Sequence, residues 1–279
     1  MNALELKNLT KSFPDFTLSD LNLALPSGCI LGLIGENGAG KSTTIKLILG
    51  MLKADSGSIT ILGSDSAQNS QLKEEIGVVL DEPGFPECVT PREVGKIMQG
   101  IYRSWDEKEY AALLKRFALP EKKKYKDFSR GMKMKLAIAV ALSHHPKLLI
   151  LDEATNGLDP VVRDEVVEMF SEFTRDENHS VLISSHIVSD LEKICDYIAF
   201  LHEGRLLIFE EKDILRESYG LLHCTVQELN TVDPSAIVGV RTSPYGAEAV
   251  VRRSAVSADT PLSPVSIEDL FICMSKEVR

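Results

Sequence analysis

The feature that most narrows what this chain can become is a glycine-rich turn, Gly35-Glu36-Asn37-Gly38-Ala39-Gly40-Lys41-Ser42-Thr43, placed directly after the apolar run Cys29-Ile-Leu-Gly-Leu-Ile34. An unbroken apolar run of this kind fits a central parallel strand buried on both faces. A helix is predicted from Lys41 to Leu49, so the turn joins a strand to a helix. GxxxxGK[ST] in that setting is a phosphate-binding loop. Gly35, Gly38 and Gly40 let backbone N–H groups converge into a nest for phosphate oxygens. The helix that follows adds its positive N-terminal end. Lys41 places a point charge on the β- and γ-phosphates of a nucleotide, and the Ser42 hydroxyl is an oxygen ligand for Mg²⁺.

Periodicity along the chain predicts an α/β fold. Leu4, Leu6 and Leu9 alternate with polar residues, and Leu18, Leu21, Leu23 and Leu25 do so again, which predicts an early antiparallel β subdomain. Short strands are expected over Ser58 to Leu62 and Ile76 to Leu80. From Pro91 to Leu142 the pattern is helical (Pro91 to Tyr102, Asp106 to Phe117, Arg130 to Leu142), so a helical subdomain over about 85–145 is inserted into the sheet domain. Strands resume at Leu148 to Leu151, Val181 to Ser184 and Tyr197 to Leu201, with helices Pro160 to Thr174 and Ile187 to Ile194 between them. This alternation implies a mostly parallel central sheet of the P-loop NTPase kind. Residues 1–218 form the expected ATPase domain. Residues 219–279 are expected to form a small α+β appendage, with strands at His223 to Leu229 and Ala247 to Arg252 and a terminal helix capped by Ser266.

Three further motifs carry chemistry. The run Leu148-Leu-Ile-Leu ends in Asp152-Glu153, two adjacent carboxylates at a strand end. Asp152 is placed to hold Mg²⁺, as in other phosphate-loop enzymes. Glu153 is placed to take the proton of an attacking water. Phe128-Ser129-Arg130-Gly131-Met132 precedes a helix, where Ser129 can cap the helix and Gly131 lets backbone N–H groups approach an anion. Read alone, that segment is equally a simple helix cap. Ser184-Ser185-His186 ends the next parallel strand, so His186 is expected to emerge at the same sheet edge as the phosphate.

Taken together, these motifs resemble the nucleotide-binding subunit of ATP-binding-cassette (ABC) transporters, over about residues 2–215. The resemblance implies that Phe13 stacks on adenine and that Phe128 to Met132 is the signature segment, whose Ser129 and Gly131 read the γ-phosphate held by an opposite subunit. It implies that Gly157-Leu158-Asp159 meets its counterpart across a head-to-tail dimer with two ATP molecules at the interface. It also implies that His186 is a switch histidine that contacts the γ-phosphate and orients Glu153. The implied cofactors are ATP and Mg²⁺. The implied partners are a second ABC ATPase subunit and a separate membrane permease. Two positions depart from the family pattern. Arg130 stands where the signature usually has glycine, and Asp81 stands where the family has a glutamine that contacts Mg²⁺. Asp81 can still offer an oxygen ligand. Both departures, with the terminal helix Ser266 to Phe271, resemble bacterial exporters of the drug, antibiotic and peptide class.

Composition limits the alternatives. The chain has 279 residues, is 44% hydrophobic and carries a net charge of -10, a poor match for the phosphates of nucleic acid. Five cysteines without a CxxC pair argue against a disulfide framework and for a reducing compartment. No apolar run approaches the roughly 20 residues of a spanning helix. The expectation is a cytoplasmic subunit, peripheral on the inner face of the membrane through its permease. The competing readings are a soluble ABC ATPase of translation or DNA repair, and a nucleotide-sensing module without turnover. One phosphate loop, no long heptad helices, and intact Glu153 and His186 stand against them.

Overall fold

The computed structural model describes residues 1–65, 70–82, 84–244, 246–257 and 259–277. In chain order the elements are β1 (Asn2–Phe13), β2 (Phe16–Pro26), β3 (Ile30–Ile34), α1 (Lys41–Ile48), β4 (Ser56–Ile61), β5 (Ser64–Asp65), β6 (Ile76–Val79), α2 (Pro91–Ile101), α3 (Glu107–Arg116) and α4 (Arg130–Leu142). They continue with β7 (Leu148–Asp152), α5 (Pro160–Phe173), β8 (Ser180–Ser185), α6 (Val188–Ile194), β9 (Tyr197–His202), β10 (Arg205–Glu211) and α7 (Lys212–Ser218). The chain ends with β11 (Tyr219–Cys224), α8 (Val226–Leu229), β12 (Ile237–Ser243), β13 (Gly246–Arg252) and α9 (Ile267–Glu277).

A six-stranded sheet in the order β10-β9-β3-β8-β7-β6 forms the centre. All its neighbours are parallel except the edge pair β10–β9. Every residue of β3, β7 and β8 is buried, which is why these strands read as continuous apolar runs. Successive side chains still point to opposite faces. Ile30 and Ile34 of β3, with Leu149 and Leu151 of β7, join one core beneath the helical region. Leu31, Leu33, Leu148 and Ile150 join a second core, which takes in Ile45 and Ile48 of α1 and the leucines of β1 and β2. The four-stranded sheet β2-β1-β4-β5 covers that second face.

Each helix of the inserted region begins at a side-chain cap, which removes an unpaired backbone donor. Thr90 and Glu93 form a reciprocal capping box on α2, Asp106 caps α3 and Ser129 caps α4. The C-terminal segment differs from the sequence expectation in two ways. The strand expected at His223 to Leu229 ends at Cys224, and α8 follows, because Thr225 and Glu228 form a second capping box that starts a helical turn. Strand β12 was not foreseen, and neither was β10, which lies ahead of this segment. The small sheet β11-β13-β12 belongs to this segment. Its α9, capped by Ser266, packs outward onto α6 and β9. Ile267, Leu270 and Phe271 join the main core there, with the Phe271 and Phe200 rings edge-on at 5.2 Å.

Candidate functional site

Strands β3, β7 and β8 end on one edge of the sheet, and the segments that leave them meet there. The turn after β3 is held open by glycine at positions where nothing larger fits. A Cβ at Gly35 would lie 2.5 Å from the Leu201 carbonyl oxygen, and Gly40 caps α1 at φ 110°. That left-handed conformation favours glycine. Lys41 starts α1 and folds back over the loop, donating to the carbonyls of Gly35 at 2.7 Å and Glu36 at 3.2 Å.

Asp152 and Glu153 close β7. Glu153 takes a left-handed backbone, φ 52°, an uncommon conformation for a residue with a side chain. Its N–H is held in that turn by the carbonyl oxygen and the hydroxyl of Ser184, at 3.1 and 3.2 Å. The same hydroxyl donates to Asp152 Oδ1 at 2.6 Å. Turned this way, the Glu153 carboxylate reaches Lys41 Nζ at 3.3 Å through Oε1 and His186 Nδ1 at 2.7 Å through Oε2. An ionised carboxylate only accepts, so the shared proton sits on Nδ1, and Nε2 is left for another partner. Lys41, Asp152 and Glu153 are all buried, whereas His186 is half-exposed.

These groups border a cavity of about 700 Å³. Glu36, Asn37, Gly38, Gly40, Lys41, Ser42 and Thr43 line it, as do Phe13, Asp81, Glu153 and His186. Gly35, Ala39 and Asp152 lie behind the lining. Three lining residues were not singled out from sequence as nucleotide ligands: Phe16, Asn156 and Arg130. Phe16 has a signal in hindsight, since it faces Phe13 across the β1–β2 turn with ring centroids 6.3 Å apart. Lys11 Nζ adds a cation 5.8 Å from the Phe13 ring. Arg130 had no role in the sequence reading. In the structure its guanidinium donates to Asp81 Oδ1, so the two departures from the family pattern pair with each other. Ser129 and Gly131 do not line this cavity. Ser129 is exposed and its hydroxyl caps α4 by accepting from Met132 N at 3.3 Å.

A divalent cation fits this chemistry only in a particular manner. Among the described residues no three His, Cys, Asp or Glu side chains cluster as a metal-binding group. Ser42 at the cavity wall and Asp152 behind it supply two oxygen groups. Mg²⁺ characteristically takes few protein ligands and fills its octahedron with phosphate oxygens and water, so the residues present fit it.

Comparison with known proteins matches this geometry. A family model described as ABC transporter matches residues 18–156. The bacitracin transport ATP-binding protein BcrA of Enterococcus faecalis is 37% identical over 213 residues, covering 74% of this chain and 68% of that one. The lantibiotic transport ATP-binding protein SrtF of Streptococcus pyogenes is 38% identical over 216 residues, covering 75% and 91%. This chain belongs to the ABC transporter family. It is an ATP-binding subunit, an ATPase whose hydrolysis drives transport. Among other ABC relatives, the linearmycin resistance ATP-binding protein LnrL of Bacillus subtilis is 33% identical over 238 residues, covering 81% and 76%. A solved ATP-binding subunit of an ABC transporter superposes with a TM-score of 0.69 at 31% identity, covering 77% of this chain and 92% of that one. The ABC fold alone is shared with an ATP-binding cassette solved as a dimer with ADP and phosphate, at a TM-score of 0.67 and 22% identity. Among the described residues no helix is long and apolar enough to cross a membrane.

Proposed function

We propose that this subunit works as a head-to-tail dimer with two Mg·ATP molecules at the interface, docked on a separate membrane permease that exports an antibiotic- or peptide-like compound. The observation that carries the dimer is the position of the signature turn. Ser129 is exposed and neither it nor Gly131 lines the cavity that holds Lys41. An anion-binding turn of this kind, capped at a helix N-terminus, has a use when a second copy brings its own nucleotide to it. The export direction rests on the bacitracin, lantibiotic and linearmycin relatives. An apolar groove of about 270 Å³, lined by Leu49, Met51, Leu80 and Tyr102, offers the permease a docking face. The neighbouring loop Glu82 to Pro86, which directly follows Asp81, offers a second docking face; Pro83 within it lies outside the described residues. Residues 219–279 are read as a C-terminal appendage that tunes partner contact while sharing the main core.

The site residues take these roles. Lys41 and the loop N–H groups bind the β- and γ-phosphates, and Phe13 with Phe16 offers aromatic faces for the base. Ser42 and Asp152 would hold Mg²⁺, with Asp81 within reach of it, and the cation when bound neutralises phosphate charge. Glu153 takes the proton of the attacking water at its carboxylate. His186 holds that carboxylate through Nδ1–H, and as the imidazolium it would donate Nε2–H to the γ-phosphate. The test is sedimentation of Glu153→Gln with and without Mg·ATP. A shift from monomer to dimer on adding nucleotide is expected, and a monomer under both conditions would overturn the sandwich reading. Co-purification with a membrane protein encoded beside it tests the permease.

A further inference from the structure

Asp81 and Arg130 are 49 residues apart in sequence, yet their side chains pair on the wall of the nucleotide cavity. Asp81 lies beyond β6, and Arg130 is the first residue of α4. The pair therefore joins the sheet edge to the start of the signature helix. Arg130 also lies flat across a third segment. A Cβ at Gly157 would be 3.0 Å from Arg130 Cδ, and Gly157 has φ 76°, so glycine leaves the room the arginine uses. This turn sits between Glu153 and α5.

The electrostatics at α4 are unusual. A cation at a helix N-terminus opposes the positive end of the helix dipole, and the first turn of α4 holds no acidic residue. Asp81, arriving from β6, supplies the missing negative charge. The pair is solvent-accessible, with side-chain exposures of 53% for Arg130 and 43% for Asp81. An accessible ion pair is weak, so it can yield to a stronger competitor. A hard divalent cation is such a competitor for a carboxylate oxygen.

We propose that Arg130 is a positioning residue for Asp81: it holds the Asp81 carboxylate as an internal counter-ion, in competition with the divalent cation that accompanies bound nucleotide. A divalent cation held by Asp81 would then leave Arg130 free as a cation beside the exposed Ser129. The inference rests on the reading of this cavity as an Mg·ATP site.

The experiment is an Mg²⁺ titration of the equilibrium binding of a fluorescent, non-hydrolysable ATP analogue to the full chain. Arg130→Met should lower the half-saturating Mg²⁺ concentration by about 1.5- to 5-fold, the range set by an exposed ion pair. Arg130→Lys, which keeps the charge, should stay near the parental value. In an Asp81→Asn background, adding Arg130→Met should produce no further shift. Thermal melts confirm that each variant is folded, and Arg130→Gln replaces the methionine variant if that one is not. An unchanged or raised Mg²⁺ requirement in Arg130→Met overturns the pairing role. An equal shift in the Asp81→Asn background does so too, since Arg130 would then act on the nucleotide directly. Analogue binding by the parent that ignores Mg²⁺ overturns the underlying site reading instead.

Discussion

Glu153 Oε2 lies 2.7 Å from His186 Nδ1, joining the ends of β7 and β8 through one hydrogen bond. The other oxygen of the same carboxylate faces Lys41 Nζ at 3.3 Å. A proton acceptor is thus fixed at the mouth of the phosphate loop. Glu153→Gln keeps an oxygen for His186 and loses the basic group. Its turnover should fall by about 10²-fold or more, the scale of a lost general base, while nucleotide binding persists. Phosphate release and analogue binding measure the two effects separately. Parental turnover in this variant would remove Glu153 from the role.

Lys41 has two tasks, and its removal should show both. Its ammonium donates to the Gly35 and Glu36 carbonyls and neutralises the buried Glu153. Lys41→Ala should weaken ATP affinity by about 10- to 100-fold, the worth of one or two charge-assisted contacts. It should also lower the melting temperature, because stripping one partner leaves a buried carboxylate uncompensated. Tight binding with a normal melt would contradict the loop assignment.

The parts of the fold that sequence made legible share a physical cause. Strands β3, β7 and β8 are buried on both faces, so their composition alone marks them. Helices α2, α3 and α4 were legible from their helical pattern, α4 also from its cap Ser129, and the structure adds Thr90 and Asp106 as the caps of α2 and α3. The edge strand β10 escaped because its residues are half-buried throughout after Arg205, with no alternation to detect. The segment after Cys224 was misread because Cys224, Val226 and Leu229 suggested a strand, although Thr225 and Glu228 already carried the capping-box signal. At the site, Lys41, Glu153 and His186 were found from local motifs. The Arg130–Asp81 pair was not, because no local pattern reports a contact across 49 residues.

Ser184 was visible only as part of a motif, and the structure gives it a specific task. It faces Asp152 in the β7–β8 register. Its hydroxyl donates to Asp152 and accepts from Glu153 N–H. Ser184→Ala should cost about 1–3 kcal/mol of stability, since it leaves a buried carboxylate oxygen without its donor. It should also raise the Mg²⁺ concentration needed for half-maximal turnover, because Asp152 loses its orientation. Ser184→Thr, which restores a hydroxyl, should recover the Mg²⁺ dependence at least in part. A melt and an Mg²⁺ titration identical to the parent would leave Ser184 without this role.

The C-terminal helix is expected to matter through the core. Phe271 sits edge-on to Phe200 of β9, the strand paired with β3. Phe271→Ala should destabilise the whole chain by about 3–5 kcal/mol, as for other buried aromatic truncations. Below its melting temperature it should still bind the ATP analogue, since among the described residues none after His186 lines the cavity. Chemical denaturation followed by the fluorescence of Trp105 in the helical region reads the first effect. Unchanged stability would mean that α9 packs independently of the ATPase core.

The last prediction concerns pH. His144 is buried just after α4, stacked on Tyr102 with ring centroids 4.0 Å apart. Its Nδ1 lies 3.3 Å from the Val140 carbonyl oxygen and its Nε2 lies 3.2 Å from that of Ile76, the first residue of β6. Burial holds its pKa below the ordinary value near 6.5, and outweighs the two carbonyls and the nearby Glu74, which favour the charged ring. His145 next to it adds a smaller push in the same downward direction. The unfolded chain therefore takes up this proton first as pH falls. Stability from His144 is complete above the unfolded value and is lost as pH drops from about 6.5 through the lower folded value. The parent should thus melt at a lower temperature at pH 5.5 than at pH 7.5. His144→Phe keeps a ring against Tyr102 and cannot titrate, so its melting temperature should fall less over the same interval. Carboxylates titrate equally in both proteins, and the difference between the two slopes isolates His144. Parallel slopes would show that this ring takes no part in the acid sensitivity of the α4–β6 junction.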